Sequence, residues 1–144
     1  MLGRLHPIAG IAGFLTILLF WTATVASELF GTVEAVVAVK RAIPWGFTLL
    51  IPSLALAGAS GFRMAGGASA PLIVRKKRRM PIIAGNGILV LVPAALYLSA
   101  LASRGDFGTA FYAVQAVELM AGALNITLMG LNVRDGLRLT GRLA

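Results

Sequence analysis

The residues with the most chemistry in them lie on one stripe near the C-terminal end. Stepped alternately by four and three, the last apolar stretch reads Phe111, Gln115, Glu118, Gly122, Asn125, Met129, Asn132, Gly136. Residues at that spacing share one face of an α-helix. The opposite face, with Val114, Val117, Met120, Leu124, Leu128 and Leu131, is purely apolar. The result is a polar seam of Gln115, Glu118, Asn125 and Asn132 with one carboxyl group in it. Glu118 falls about 10 Å past Phe111 at a rise of about 1.5 Å per residue. A charged residue at the centre of a bilayer costs about 2.5–3.5 kcal/mol on insertion scales. Glu118 must therefore face the interior and be either protonated or paired; Thr24, Ser27, Tyr97 and Gln115 are at hand. It can clasp helices together, relay a proton, or make a polar contact with a bound cofactor.

His6, the single histidine, is the second candidate. Gly10 and Gly13 follow it one and two turns on and leave room for a flat macrocycle. That pattern admits a b-type haem with His6 as axial ligand to the iron. Met129 or Met64, or a histidine from a second protomer, would take the other axial position. Asn86, set between Gly85 and Gly87, lies at a depth similar to Asn125 and Met129 and lines the same space. There is no cysteine, which excludes thiolate chemistry and Cys-ligated clusters. No P-loop, dinucleotide fingerprint, HExxH or Ser-His-Asp set is present. A chain-internal catalytic metal site has too few ligands, and no residue is assigned as catalytic.

The elements that must position these residues follow from composition. The 144 residues are 58% hydrophobic and 12% charged, against about a quarter charged in soluble domains. Four apolar stretches, approximately 7–29, 43–62, 81–102 and 109–131, each reach the roughly 20 residues that cross a hydrocarbon core of about 30 Å. The stretch at 7–29 is longer than a signal-peptide core and has no clear cleavage site, so it reads as a retained helix. The expected fold is an all-α integral membrane protein, a single domain of four transmembrane helices in a compact bundle. Ala9 with Gly13 and Ala12 with Thr16 are small-residue pairs that suit close helix packing in lipid. The connection after the first helix is too long for a turn; it predicts a short periplasmic surface helix that ends at Pro44, with Trp45 at the interface. Prolines 52 and 93 predict bends in the second and third helices.

Charge supplies an orientation. Ten of the thirteen basic residues fall on one side of this topology: Arg4, Arg63, Arg75, Lys76, Lys77, Arg78, Arg79, Arg134, Arg138 and Arg142. Lys40, Arg41 and Arg104 fall on the other, offset by Glu28, Glu34 and Asp106. By the positive-inside rule both termini and the basic loop at 63–80 are cytoplasmic, in the inner membrane of a bacterial cell. The run Arg75–Arg79 reads as a contact for anionic lipid or an acidic partner, at roughly 1 kcal/mol per basic residue. A nucleic-acid partner does not fit a chain fixed in a membrane. The expected function is a non-enzymatic accessory or structural membrane subunit that binds anionic lipid and partner helices, from other subunits or a homo-oligomer. The alternatives are a haem b protein using His6 for electron transfer or sensing, and an oligomeric proton-coupled channel or transporter using Glu118.

Overall fold

A computed structural model of the chain describes residues 2–67 and 69–142, with side chains from residue 5 onward. Arg4, counted above among the basic residues, has its side chain outside that range. The described residues form α1 (Leu2–Phe30), α2 (Val33–Ala65), α3 (Pro71–Asn86), a π-helical turn (Gly87–Leu91), α4 (Val92–Ser103) and α5 (Thr109–Leu139). The third rod runs unbroken from Pro71 to Ser103, so there are four helices long and apolar enough to cross a membrane. The protein is a membrane-spanning four-helix bundle, with no strand among the described residues.

Short caps separate the rods. Gly31 N–H donates to Ser27 O and closes α1, and Thr32 caps α2 by accepting from Ala35 N–H at 3.4 Å. Gly66, at φ 42°, ends α2, and its N–H donates to Phe62 O. Gly105, at φ 69°, turns the chain from α4 toward α5, where Gly108 N–H donates to Asp106 Oδ1. These turns define a basic end, where α2 meets α3 and α5 finishes, and a turn end, where α1 meets α2 and α4 meets α5.

Three expected boundaries change. The segment after α1 is helical, but it forms the first turns of α2 rather than a separate surface helix. Pro44 and Pro52 both lie inside α2. Val36, Lys40 and Ile43, at helical spacing, are buried along one side of that extension, and this packing holds it in line with the span. Most of the expected basic loop is likewise helix: α2 runs to Ala65, and Pro71 opens α3 at its first position. Pro7 lies inside α1, which begins at Leu2. The disturbance expected at Pro93 takes the form of the π-helical turn, where Val92 N–H donates to Gly87 O. A proline at 93 cannot donate to Leu89 O, so the ladder slips by one residue ahead of it.

The bundle packs α1 along α2 and α5, α4 against α2 and α5, and α3 against α5. Near the turn end the apolar core is Val36, Leu98, Leu101, Ala102 and Phe111. Further in, Ile17, Leu50, Ile83 and Met129 form a second core. Gly13 of the Ala9–Gly13 pair does pack closely: a Cβ there would stand 2.8 Å from Leu54 Cδ2. Leu15, Leu19, Leu49, Ile88, Leu89 and Met120 face outward, as apolar side chains do when the solvent is lipid. On α2 this outward apolar surface runs between exposed Arg41 and Arg63, about 33 Å at about 1.5 Å per residue, which matches a hydrocarbon core. Trp45, 79% exposed and one turn inside Arg41, marks the boundary.

Candidate functional site

The polar seam faces the bundle interior. Phe111, Gln115, Glu118, Gly122, Asn125 and Met129 are all buried, with Ala121 and Asp135 beside them. Along α5 they make three polar layers, each with partners from other helices.

The first layer, near the turn end, is ionic. Lys40 Nζ donates to Glu118 Oε2 at 2.5 Å, and the lysine is 1% exposed. Gln115 Nε2 donates to the same oxygen at 3.3 Å. Glu28 of α1 makes no ion pair with Lys40; it lines a neighbouring cavity with Ser27 and Val36. The paired form of Glu118 is thus the one realised, with a partner the sequence hid. Lys40 stands next to exposed Arg41 in what reads as a surface segment; only the Val36–Lys40–Ile43 spacing signals that it turns inward. Of the other expected partners, Thr24 lines the same small cavity as Glu118. Ser27 Oγ donates instead to Thr24 O, and Tyr97 is 47% exposed, turned away from the pair.

The second layer is neutral. Asn86 Nδ2 donates at 2.8 Å to both Asn125 Oδ1 and Ala121 O, and Asn125 Nδ2 donates to Ile83 O at 3.3 Å. Asn125 is fully buried. The clasp sits at the start of the π-helical turn and ties α3 to α5. Trp21 joins from the α1 side: its Nε1 donates to Leu119 O at 2.9 Å, and its ring fills the space over Gly122. Gly122 is therefore in the seam to admit an indole.

The third layer lies at the basic end. Asp135, with no exposed surface, accepts from Arg79 at 2.7 Å and from Arg134 at 3.5 Å. Arg79 also donates to Asn132 Oδ1 at 3.3 Å, and Asn132 Nδ2 reaches Met80 Sδ at 3.7 Å. Lys76 Nζ lies over Gly136, at 3.1 Å from where a Cβ would stand, and its charge acts with that of Asp135. Asp135 is a second carboxylate that sequence reasoning passed over; its place three residues after Asn132 was the available signal.

This layer divides the basic run. Arg79 and Lys76 turn inward, and Lys77 Nζ donates to Gly66 O at 2.6 Å, over the end of α2. Arg75 and Arg78 are left exposed, together with Arg63, Arg134, Arg138 and Arg142.

Each of the three residues of the haem reading is engaged with other partners. His6 Nδ1 donates to Ala57 O at 3.0 Å and lies 3.1 Å from Ser60 Oγ, with its ring edge against Gly61. Asn86 is held by Asn125 and Ala121, while Met129 packs with Ile17, Leu50 and Ile83. Leu54 occupies the space over Gly13 that a porphyrin would need. His6 instead fastens the start of α1 to α2.

No protein-family model, curated protein or solved structure matches the chain.

Proposed function

We propose that the protein is a non-enzymatic accessory or structural membrane subunit that docks anionic phospholipid headgroups on its basic end. The observation that carries this reading is the division of the basic run. Asp135 draws Arg79 into the bundle and Lys76 lies over Gly136, which leaves six exposed arginines (Arg63, Arg75, Arg78, Arg134, Arg138, Arg142) at one end of the helices. Each basic residue near an acidic membrane surface contributes roughly 1 kcal/mol, so a few such contacts suffice for selective retention of anionic lipid. The charge asymmetry also supports cytoplasmic termini in an inner membrane. Partner helices, from other subunits or a second copy, would pack on the outward apolar surface.

Lipids that stay with the protein through gentle purification, identified by mass spectrometry, test the proposal. Phosphatidylglycerol or cardiolipin is expected to be enriched over zwitterionic lipid, and the paired change Arg75→Gln with Arg78→Gln is expected to reduce that enrichment. Equal retention of anionic and zwitterionic lipid by the unaltered chain would overturn it.

A further inference from the structure

The ionic layer at the turn end holds more negative charge than positive. Glu28 of α1, Lys40 of α2 and Glu118 of α5 carry two carboxylates against one ammonium. The buried residues that α4 supplies at this level are Leu98, Leu101 and Ala102, none of them titratable. Glu34, Arg41, Arg104 and Asp106 are exposed. Glu28 is half-buried, but its Oε1 is enclosed, and a surplus charge held there is costly unless a counter-charge joins it.

Hydrogen bonding points to the same need. Glu118 Oε2 receives two donors, from Lys40 and Gln115. Glu28 Oε1 and Gln115 Oε1 are both buried with no donor. Gln115 is 4% exposed, and its amide lies against Glu118. Native proteins rarely leave buried acceptors in this state. The layer lacks one positive charge and at least one donor.

Access exists from the turn end. A cavity of about 190 Å³ lies there, lined by Ser27, Glu28, Gly31, Thr32, Val36 and Tyr112 among others. A water occupies about 30 Å³ of liquid, so several fit. Glu28 forms part of its wall. On the inner side Glu118 borders a second cavity of about 50 Å³ with Thr24 and Trp21.

We propose that the Glu28–Lys40–Glu118 layer is a binding site for one proton, reached through the cavity at the α1–α2 turn. The proton passes from a hydronium ion in that cavity to the Glu28 carboxylate: one O–H bond breaks, one forms, and water remains. Charge in the layer goes from one surplus negative to zero, and the new O–H is a donor where none existed. Glu28 is the acceptor because Lys40 and Gln115 already hold Glu118. Lys40 and Gln115 are positioning residues that fix which carboxylate takes the proton.

Infrared spectroscopy of the full chain in liposomes reads this directly through the C=O stretch of a protonated carboxyl. At neutral pH the unaltered chain should show one such band, shifted by deuterium exchange and lost in alkali. Glu28→Gln should abolish it. Glu118→Gln should abolish it too, because Glu28 and Lys40 then balance. Lys40→Met should double it, since two carboxylates without a cation take two protons, an outcome that a merely structural clasp would not give. No protonated carboxyl in the unaltered chain overturns the proposal. So does a band that survives both glutamine variants, or one that sodium removes when it replaces a bulky organic cation at constant pH.

Discussion

The two charged layers of this bundle are built from the same parts and carry opposite surpluses. At the turn end, one buried ammonium pairs with Glu118, and a second carboxylate, Glu28, stands beyond ion-pair distance. At the basic end, Arg79, Arg134 and Lys76 surround one buried carboxylate, Asp135. The difference lies in where the surplus can go. The side chains of Arg79 and Arg134 are 16% and 46% exposed, so their excess charge reaches the surface. Lys40 is sealed at 1% exposure and the Glu118 side chain at 11%, so half-buried Glu28 is the one carboxylate of this layer with a way out, through the cavity at the α1–α2 turn. An ion pair therefore means little until its access to solvent is known: the more open layer leaves arginines exposed, while in the other the proposed proton is the counter-charge.

This contrast can be broken from the closed side with the largest effect. Lys40→Met leaves buried Glu118 and half-buried Glu28 without a cation, and unpairing one member of a buried pair costs about 3–5 kcal/mol. Unfolding in mild detergent should show that loss at alkaline pH, and a smaller one in mild acid, where protons take the place of the ammonium. A loss independent of pH would argue that packing of the lysine stem, not its charge, is what matters. Changing Lys40 and Glu118 together to methionine should restore part of the stability, since a well-packed apolar pair replaces an ionic one at little cost.

On the open side the same experiment should be milder. Asp135→Asn removes the single anion, and hydrogen bonds to charged groups contribute about 1.5–3 kcal/mol each. The lower part of that range is expected, because the released arginines can reach water, and added salt should recover some of the loss by screening them. Between the two layers, Asn125→Ala breaks the neutral clasp to Asn86. Side-chain hydrogen bonds between membrane helices are worth about 0.6–1.7 kcal/mol. This change should fall there and show no dependence on pH or salt. A double-mutant cycle of Asn86→Ala with Asn125→Ala should reveal coupling between them. Smallest of all, Arg75→Gln with Arg78→Gln should leave unfolding within about 0.5 kcal/mol of the unaltered chain while it changes the lipids retained.

Much of the architecture was legible because it rests on local spacing. Four apolar stretches gave four rods, and the stripe from Phe111 to Met129 on α5 is the side that is buried. Even the level shared by Asn86 and Asn125 could be counted in helical turns from the predicted boundaries. The errors arose where charge or proline was read as a boundary. Lys40 beside Arg41 looked like surface, and Pro44 looked like a stop. In a bundle, however, a helix continues through a proline when flanking turns are packed on both sides. The basic run looked like a loop for the same reason, although Pro71 is a good first residue for a helix.

By itself, the sequence determined the solvent, the number of rods and the inward side of α5, because helical period and apolar length are properties of consecutive residues. Tertiary structure alone decided who meets whom: Lys40 with Glu118, Arg79 with Asp135, His6 with Ala57, Trp21 over Gly122. Those meetings depend on the rotation and axial offset of one helix against another. Both are set by how side chains interlock across the bundle, and a shift of one residue in either would turn each of these groups toward lipid.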